Sequence, residues 1–247
     1  MDLRPAVVLV RPREPGNVGA TARAMGNLGL GELVLVEPAA PLDAVAQAFA
    51  VGARPILDRA RRAADLGEAL APYARVVGTT SWRDRQLPRP ALAPRDLPAL
   101  LAADPPGTPS ALLFGPERSG LTNEELAHCS HWVRIPCAPE HPTLNLAQAV
   151  LILAYEIHLA HSAMSATPAS LTAPASNDSG AALARQAELE GLFAQTRELL
   201  ERSVFARDES FAGVLVDLRQ LLSRVGPSQR EIAILRGVCR RIARHLR

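Results

Sequence analysis

The chain has no lysine; all 27 of its cations are arginine. A phosphate-gripping loop of the G-x-x-x-x-G-K-[ST] kind is therefore excluded. Uniform arginine usage also makes any one arginine weaker support for bidentate recognition than in a mixed sequence. Aromatic residues make up only 4%, so the core has to be built from Ala, Val, Leu and Ile. Cysteine is scarce and odd in number. Cys129, Cys137 and Cys239 show neither CxxC nor zinc-finger spacing, which argues against a disulfide framework and fits a reduced, cytoplasmic protein. No His, Cys and carboxylate group has metal-ligand spacing, so no metal is expected. The first residues carry no secretory apolar stretch. The longest apolar stretch, about 144–160, is interrupted by Asn145, Gln148, Glu156 and His158. It reads as a buried helix and not as a membrane span.

What is present suffices for a sizeable core, with 48% hydrophobic residues over 247 positions. The net charge of +2 is unevenly spread. Residues 1–182 hold 15 Arg against 17 acids, a formal −2; residues 183–247 hold 12 Arg against 8 acids, a formal +4. Five nearly continuous apolar runs, at 6–11, 32–37, 74–80, 110–115 and 131–136, read as strands buried on both faces. Helical patterns at 18–28, 42–52, 60–71 and 122–128 lie between them, the last opened by a Thr122/Glu125 capping box. Alternation of this kind predicts a parallel α/β sheet. An apolar helix over 144–162 follows, buried by the core or by a partner subunit. Residues 163–182, rich in Ser, Ala, Thr and Pro, read as a linker. Three amphipathic patterns at 183–206, 208–225 and 228–246 complete a positively charged helical domain.

The candidate functional residues sit in the turns. In EPGNVGATARAMGNLGL (14–30), Gly16 and Gly19 let the backbone turn and a ligand come close. The helix N-terminus there favours an anion, and Arg23 lies about one turn into that helix. Thr79, Thr80, Ser81 and Trp82 follow the third strand, Gly115 ends the fourth and Ile135 the fifth. In open α/β sheets ligands bind outside the carboxyl ends of strands. Glu117 and Arg118 read as a local surface ion pair worth about 0–1 kcal/mol. Thr143 or Asn145 is the expected N-cap of the apolar helix, and His141 reads as a solvated loop histidine.

VLVRPREPGNVGATARAMGNLGL, VVGTTSWRDR, LLFGPERSGLTNEEL and IPCAPEHPTLNLAQAV occur in this order. Together they resemble the three motifs of SPOUT RNA 2′-O-methyltransferases, as they stand in the bacterial TrmJ subfamily that methylates cytidine or uridine at position 32 of tRNA. The resemblance covers about residues 5–160. It implies an α/β fold with a SPOUT-type parallel sheet, a C-terminal trefoil knot formed over about 115–160, and a small helical extension. The implied domains are 1–162 and 183–247, joined by 163–182. Composition and periodicity show no knot. The resemblance also implies S-adenosylmethionine as cofactor, tRNA as substrate, and a homodimer with active sites at the subunit interface. By motif, Arg23 is the implied catalytic arginine, and Asn17 supports its loop. Thr79, Thr80, Ser81, Trp82, Gly115, Ile135, Thr143, Leu144 and Asn145 are the implied cofactor positions, with Thr143 standing where many relatives have serine. Arg11, Arg13, Arg83 and Arg85 are expected to track the RNA backbone by charge. Because a guanidinium stays protonated in proteins, Arg23 is expected to hold a phosphate and the developing alkoxide; a strongly perturbed Arg23 acting as the base is the competing reading.

Three other readings are open at this stage. A ribosomal RNA or another tRNA position would need the same chemistry. A nicotinamide oxidoreductase would need the G-x-G-x-x-G turn, which is missing, and Glu37 would be its only ribose carboxylate. A non-catalytic RNA-binding protein would have no need to keep Arg23 and the cofactor turns.

Overall fold

Six parallel strands carry the architecture, in the order β3-β2-β1-β5-β4-β6. They are β1 (Ala6–Val10), β2 (Leu33–Val36), β3 (Arg61–Ala63), β4 (Arg75–Thr79), β5 (Ser110–Phe114) and β6 (His131–Val133). The computed structural model describes residues 3–39, 41–81, 90–166, 182–202 and 211–245. Side chains alternate across the pleat, so each apolar run feeds two cores. Val7, Leu9, Leu33, Leu35, Val77, Leu112 and Phe114 face one. Ala6, Val8, Val10, Val34, Val36, Val76 and Leu113 face the other.

The first core is covered by α1 (Pro15–Asn27), α2 (Ala44–Phe49), α3 (Arg54–Asp58), α5 (Leu97–Ala102) and α7 (Leu146–Ala166). The second lies under α4 (Leu66–Leu70) and α6 (Asn123–Leu126). Thr122 and Glu125 form the expected capping box of α6. Pro15 occupies the start of α1, where its missing N–H costs nothing.

The structure departs from the sequence reading in several places, among them the unforeseen short helix α3. The pattern at 60–71 is not one helix. Arg61–Ala63 joins β2 as a three-residue edge strand, and α4 starts only after Asp65, whose carboxylate accepts the Glu68 N–H at 2.8 Å. A short, arginine-bearing edge strand has too little apolar content to stand out. Another departure is α5, entered through a 3₁₀ turn at Pro94–Asp96, which periodicity did not reveal. Nor is Gly19 a ligand-admitting turn glycine. It lies inside α1, where an added Cβ would stand 2.1 Å from the Ala46 carbonyl oxygen, so its role is to let α2 pack closely. Gly16 faces Phe49 at ordinary contact distance.

Helix α7 runs past 162 to Ala166; most of the expected linker, 167–181, lies outside the described residues. Leu146, Val150, Leu153, Ala154 and Ile157 of α7 are buried, while Leu151, Tyr155, Leu159 and Met164 are exposed. Among the described residues, Leu146–Met164 is long and apolar enough to cross a membrane by length and composition alone.

The tail contributes α8 (Gln186–Glu201), α9 (Phe211–Val225) and α10 (Gln229–Ala243), built around Leu189, Leu192, Phe193, Leu222 and Ile232. Its start is bonded to the sheet edge where β4 and β6 begin. The Gln186 N–H donates to the Tyr73 carbonyl at 2.9 Å, the Ala187 N–H to the Ala71 carbonyl at 3.3 Å, and Gln186 Nε2 to the His128 carbonyl at 3.1 Å. One turn further along α8, Glu190 pairs with Arg219 and lies 3.6 Å from His128 Nδ1. Burial alone would raise the Glu190 carboxyl pKa. Hydrogen bonds from Arg219 and His128, and their charge, outweigh that and bring it down to about 2.

Candidate active site

Strands β1, β5, β4 and β6 all end at the same edge of the sheet. Left-handed backbone at two non-glycine residues, Arg11 (φ 45) and Glu37 (φ 44), turns the chain away from β1 and β2 there. A cleft open to solvent lies among the loops after β4, β5 and β6. Thr79, Thr80 and Ser81 form one wall; Gly115, Glu117, Arg118 and Gly120 form another. Ile135, Cys137, Thr143 and Leu144 close the third side, over a floor of Phe114, Val133 and Leu146. Seven expected cofactor positions thus meet in one place: Thr79, Thr80, Ser81, Gly115, Ile135, Thr143 and Leu144. Trp82, Arg83 and Arg85 lie outside the described residues.

The wall residues divide by what already satisfies them. Thr79 Oγ1 donates to the Leu113 carbonyl at 3.0 Å and so ties β4 to β5. The Thr80 N–H donates to the Val133 carbonyl at 3.0 Å, but its Oγ1 is buried with no hydrogen-bond partner among the described residues. An unpartnered buried hydroxyl costs about 1–3 kcal/mol, a cost that a polar ligand in the cleft would remove. Gly115 is required by close approach. A Cβ there would stand 2.2 Å from the Gly120 carbonyl carbon and 2.3 Å from the Leu121 nitrogen. The loop doubles back through Gly120, whose φ of 64° favours glycine, and the Gly120 N–H donates to the Pro116 carbonyl at 2.9 Å. An apolar lining of Phe114, Leu121, Val133 and Ile135 beside the Thr80 and Thr143 hydroxyl groups fits an adenosine bearing a charged, flexible arm.

Asn145 borders this cleft and caps α7. Its Oδ1 accepts the Ala147 N–H at 2.9 Å and the Gln148 N–H at 3.4 Å, which resolves the capping alternative in its favour over Thr143. Its Nδ2 donates to Asn17 Oδ1 at 2.8 Å, and Asn17 Nδ2 donates to Glu117 Oε1 at 3.1 Å. Glu117 also accepts the Arg13 N–H at 3.2 Å and the Glu14 N–H at 3.2 Å. The reading of Glu117 and Arg118 as a surface ion pair is therefore corrected. The carboxylate instead gathers the loop after β1 against the loop after β5. Burial alone would raise its pKa, but the Asn17 side chain and the backbone N–H groups of Glu117, Glu14 and Arg13 together hold it below the ordinary carboxylate value. Sequence reasoning missed this residue. The available signal was a carboxylate inside a Pro116–Gly120 turn, facing the N-terminal turn of another helix.

The arginines fare differently. Arg11 is not a free cation: it pairs with Glu125 and lies 3.6 Å from Glu37 Oε2, so much of its charge is spent within the protein. Arg13 is exposed. Arg23 is exposed on α1, outside the cleft lining, with no side-chain partner among the described residues. Six residues beyond Asn17, it projects about 120° around the helix from it. His141 is exposed, as expected.

A family model described as the SpoU rRNA methylase family matches residues 4–155, and one described as the C-terminal domain of tRNA methyltransferase TrmJ matches residues 187–247. The tRNA (cytidine/uridine-2′-O-)-methyltransferase TrmJ of Yersinia pestis is 39% identical over 232 residues, which is 94% of this chain and 88% of that one. The crystal structure of TrmJ from Z. mobilis superposes with a TM-score of 0.81 at 32% identity, covering 97% of this chain and 99% of the other. An AdoMet-bound rRNA methyltransferase from Sinorhizobium meliloti superposes with a TM-score of 0.50 at 25% identity over 63% of this chain and 56% of its own.

Proposed function

We propose, on the premise that this chain belongs to the SpoU rRNA methylase family and to its TrmJ branch, that it transfers a methyl group from S-adenosylmethionine to a ribose 2′-hydroxyl of tRNA. The target is cytidine or uridine at position 32 of the anticodon loop. The observation that carries this reading is the Asn145–Asn17–Glu117 relay. It fixes the turn of the first motif against the cleft formed by the other two. The extent of similarity supports tRNA over ribosomal RNA. TrmJ corresponds to nearly the whole chain, tail included, whereas the rRNA enzyme corresponds to 63% of it.

S-adenosylmethionine, held in the cleft beside Thr80 and Thr143, would supply a methyl already activated by its sulfonium: the ribose 2′-oxygen would take that methyl as the carbon–sulfur bond breaks, S-adenosylhomocysteine would leave, and the hydroxyl proton would pass to solvent water. The protein's part is placement. Thr80 Oγ1 and the Thr143 hydroxyl are the polar groups offered to the cofactor, and Phe114, Leu121 and Ile135 exclude water around it. Asn17 and Glu117 are positioning residues that hold the loop after β1 beside the cleft. Arg23 holds the phosphate next to the reacting ribose and stabilises charge developing on the 2′-oxygen. Its exposure, and the lack of a partner among the described residues, suit a role toward something outside the single chain. A homodimer fits this reading, with the exposed Leu151, Tyr155 and Leu159 of α7 buried against a second copy, and so does a knot formed by the chain over about 115–160. The same reading divides the chain into a methyltransferase domain, 1–162, and a helical domain, 183–247, and places it in the cytoplasm.

The test is mass mapping of ribose methylation in unmodified tRNA incubated with the protein and S-adenosylmethionine. A 2′-O-methyl group at position 32 is expected. Methylation elsewhere would redirect the target, and none on tRNA with transfer to ribosomal RNA would overturn the reading.

A further inference from the structure

The loop after β5 is held by the loop after β1 at two points. Glu117, near its start, accepts from the Arg13 and Glu14 N–H groups and from Asn17 Nδ2. Glu125, just past its end, pairs with Arg11. The two carboxylate oxygens of Glu125 have separate tasks. Oε2 accepts the Thr122 N–H at 2.7 Å and closes the capping box of α6, while Oε1 takes the Arg11 guanidinium. Glu125 is 8% exposed, so the pair is screened by water far less than a surface ion pair. Between the two points lie Arg118, Gly120 and Leu121, which line the cleft. Thr122, whose N–H Glu125 holds, follows Leu121 directly, so a shift of Glu125 shifts that wall.

The backbone bears a cost to make this pairing. The Arg11 N–H donates to the Val36 carbonyl at 2.8 Å and the Glu37 N–H to the Ala63 carbonyl at 3.1 Å, each carrying its strand's ladder one step further. Both residues then turn left-handed, at φ 45 and φ 44. Glycine takes that conformation freely, whereas arginine and glutamate are strained in it. The strain places side chains: Arg11 Nη1 lies 3.6 Å from Glu37 Oε2 while Nη2 reaches Glu125. A glycine at either position would relieve the backbone and lose the contact. A guanidinium fixed between two carboxylates is a poor phosphate contact and a good tie between loops. We propose that Arg11 is a positioning residue for the cofactor: through Glu125 it sets the Gly120–Leu121 wall at the spacing that S-adenosylmethionine fills. The inference rests on the cofactor reading above and gives Arg11 this role in place of RNA tracking.

The test is calorimetry with S-adenosylmethionine, joined to methyl-transfer kinetics on tRNA, for wild type, Arg11→Met, Glu125→Gln and the double variant. Glu125→Gln keeps an oxygen for the Thr122 N–H, so it removes the ion pair and spares the cap of α6. Each single variant should bind the cofactor about tenfold more weakly, with its KM raised to match. The kcat at saturating cofactor should change by less than about threefold, because a filled cleft restores the wall. The double variant should bind no more weakly than the singles, since both remove one interaction. Arg11→Lys keeps the charge and should return affinity to within about threefold of wild type. Unchanged cofactor affinity in both single variants, additive losses in the double variant, or equal falls in kcat and kcat/KM would overturn the proposal. So would a slope of log tRNA affinity against log salt smaller by about 1 in Arg11→Met with cofactor binding intact, which would make Arg11 a phosphate contact. A wild-type chain that binds no S-adenosylmethionine would overturn the functional reading and this inference with it. Normal wild-type binding with indifferent variants would overturn this inference alone.

Discussion

Asn145 Nδ2 donates to Asn17 Oδ1 at 2.8 Å, joining residues 128 apart in sequence. Both amide orientations are fixed from outside the pair. The N–H groups at the start of α7 can only donate, so Asn145 must turn its oxygen to them and its nitrogen to Asn17. The Glu117 carboxylate can only accept, so Asn17 must turn its nitrogen to it. The relay therefore has a direction, from helix cap to carboxylate, and each member is held by partners that allow no alternative.

That direction separates two variants of one residue. Asn145→Asp keeps the oxygen that caps α7 and loses the donor to Asn17. Its unfolding midpoint should stay near wild type, while methyl-transfer kcat/KM falls roughly 100-fold from misplacement of the first-motif loop. Asn145→Ala loses both, with an added stability cost of about 1 kcal/mol. Equal activity in Asn145→Asp and wild type, measured with saturating S-adenosylmethionine, would remove the relay from the mechanism.

Glu117 makes the loop arrangement sensitive to acid. Its pKa is lower in the folded protein than in an unfolded chain. The stabilisation it gives is complete above the ordinary carboxylate pKa and is lost as pH falls through the depressed folded value. In Glu117→Gln the amide cannot accept all of the N–H groups that the carboxylate gathers. Stability measured by denaturant unfolding from pH 7 to pH 3 should therefore fall less steeply in Glu117→Gln than in wild type. Parallel curves would show that the carboxylate's charge is not what holds the loops.

At Thr80 the expected signs oppose each other. Thr80→Val removes a buried hydroxyl that has no partner among the described residues. The free protein should become more stable by about 1 kcal/mol, while S-adenosylmethionine binds more weakly in calorimetry. A variant that is less stable and binds the cofactor normally would mean that the hydroxyl is satisfied within the protein and takes no part in the site.

How much of this was legible in the sequence depended on whether a signal was local. The runs at β1, β2, β4, β5 and β6 were visible because strands buried on both faces must be apolar throughout. β3 was not, because an edge strand of Arg61, Arg62 and Ala63 has no such run. The cleft residues after β4, β5 and β6 were found because strand ends announce themselves as breaks in apolar runs. Glu117 was missed because its partners, Arg13, Glu14 and Asn17, are about 100 residues away and only folding assembles them. For the same reason the charge count at Arg11 misled: Glu125, which neutralises it, sits on a helix that only strand order brings near. Gly19 was misread because a glycine needed for helix packing and one needed for a ligand look identical in one dimension.

Arg75 and Asp104 test how the tail depends on the sheet domain. Both are buried, at 8% exposure each. Arg75 Nε donates to Asp104 Oδ2 at 2.8 Å, and Arg75 Nη1 donates to Ser130 Oγ at 3.2 Å. Gly226, in the turn between α9 and α10, lies near the same guanidinium; a Cβ added there would be 3.8 Å from Arg75 Nη2. Removing one partner leaves a buried charge uncompensated, so Asp104→Asn should cost about 3–5 kcal/mol in denaturant unfolding. Replacing both, as Arg75→Met with Asp104→Leu, should recover most of that, because two apolar side chains need no partner. Because Gly226 of the tail lies near Arg75, the single variant should raise hydrogen exchange at Ala184, Gln186 and Ala187, whose N–H groups close the dock. A loss of stability without faster exchange at these three amides would show that the pair supports only the sheet and that the tail is anchored independently of it.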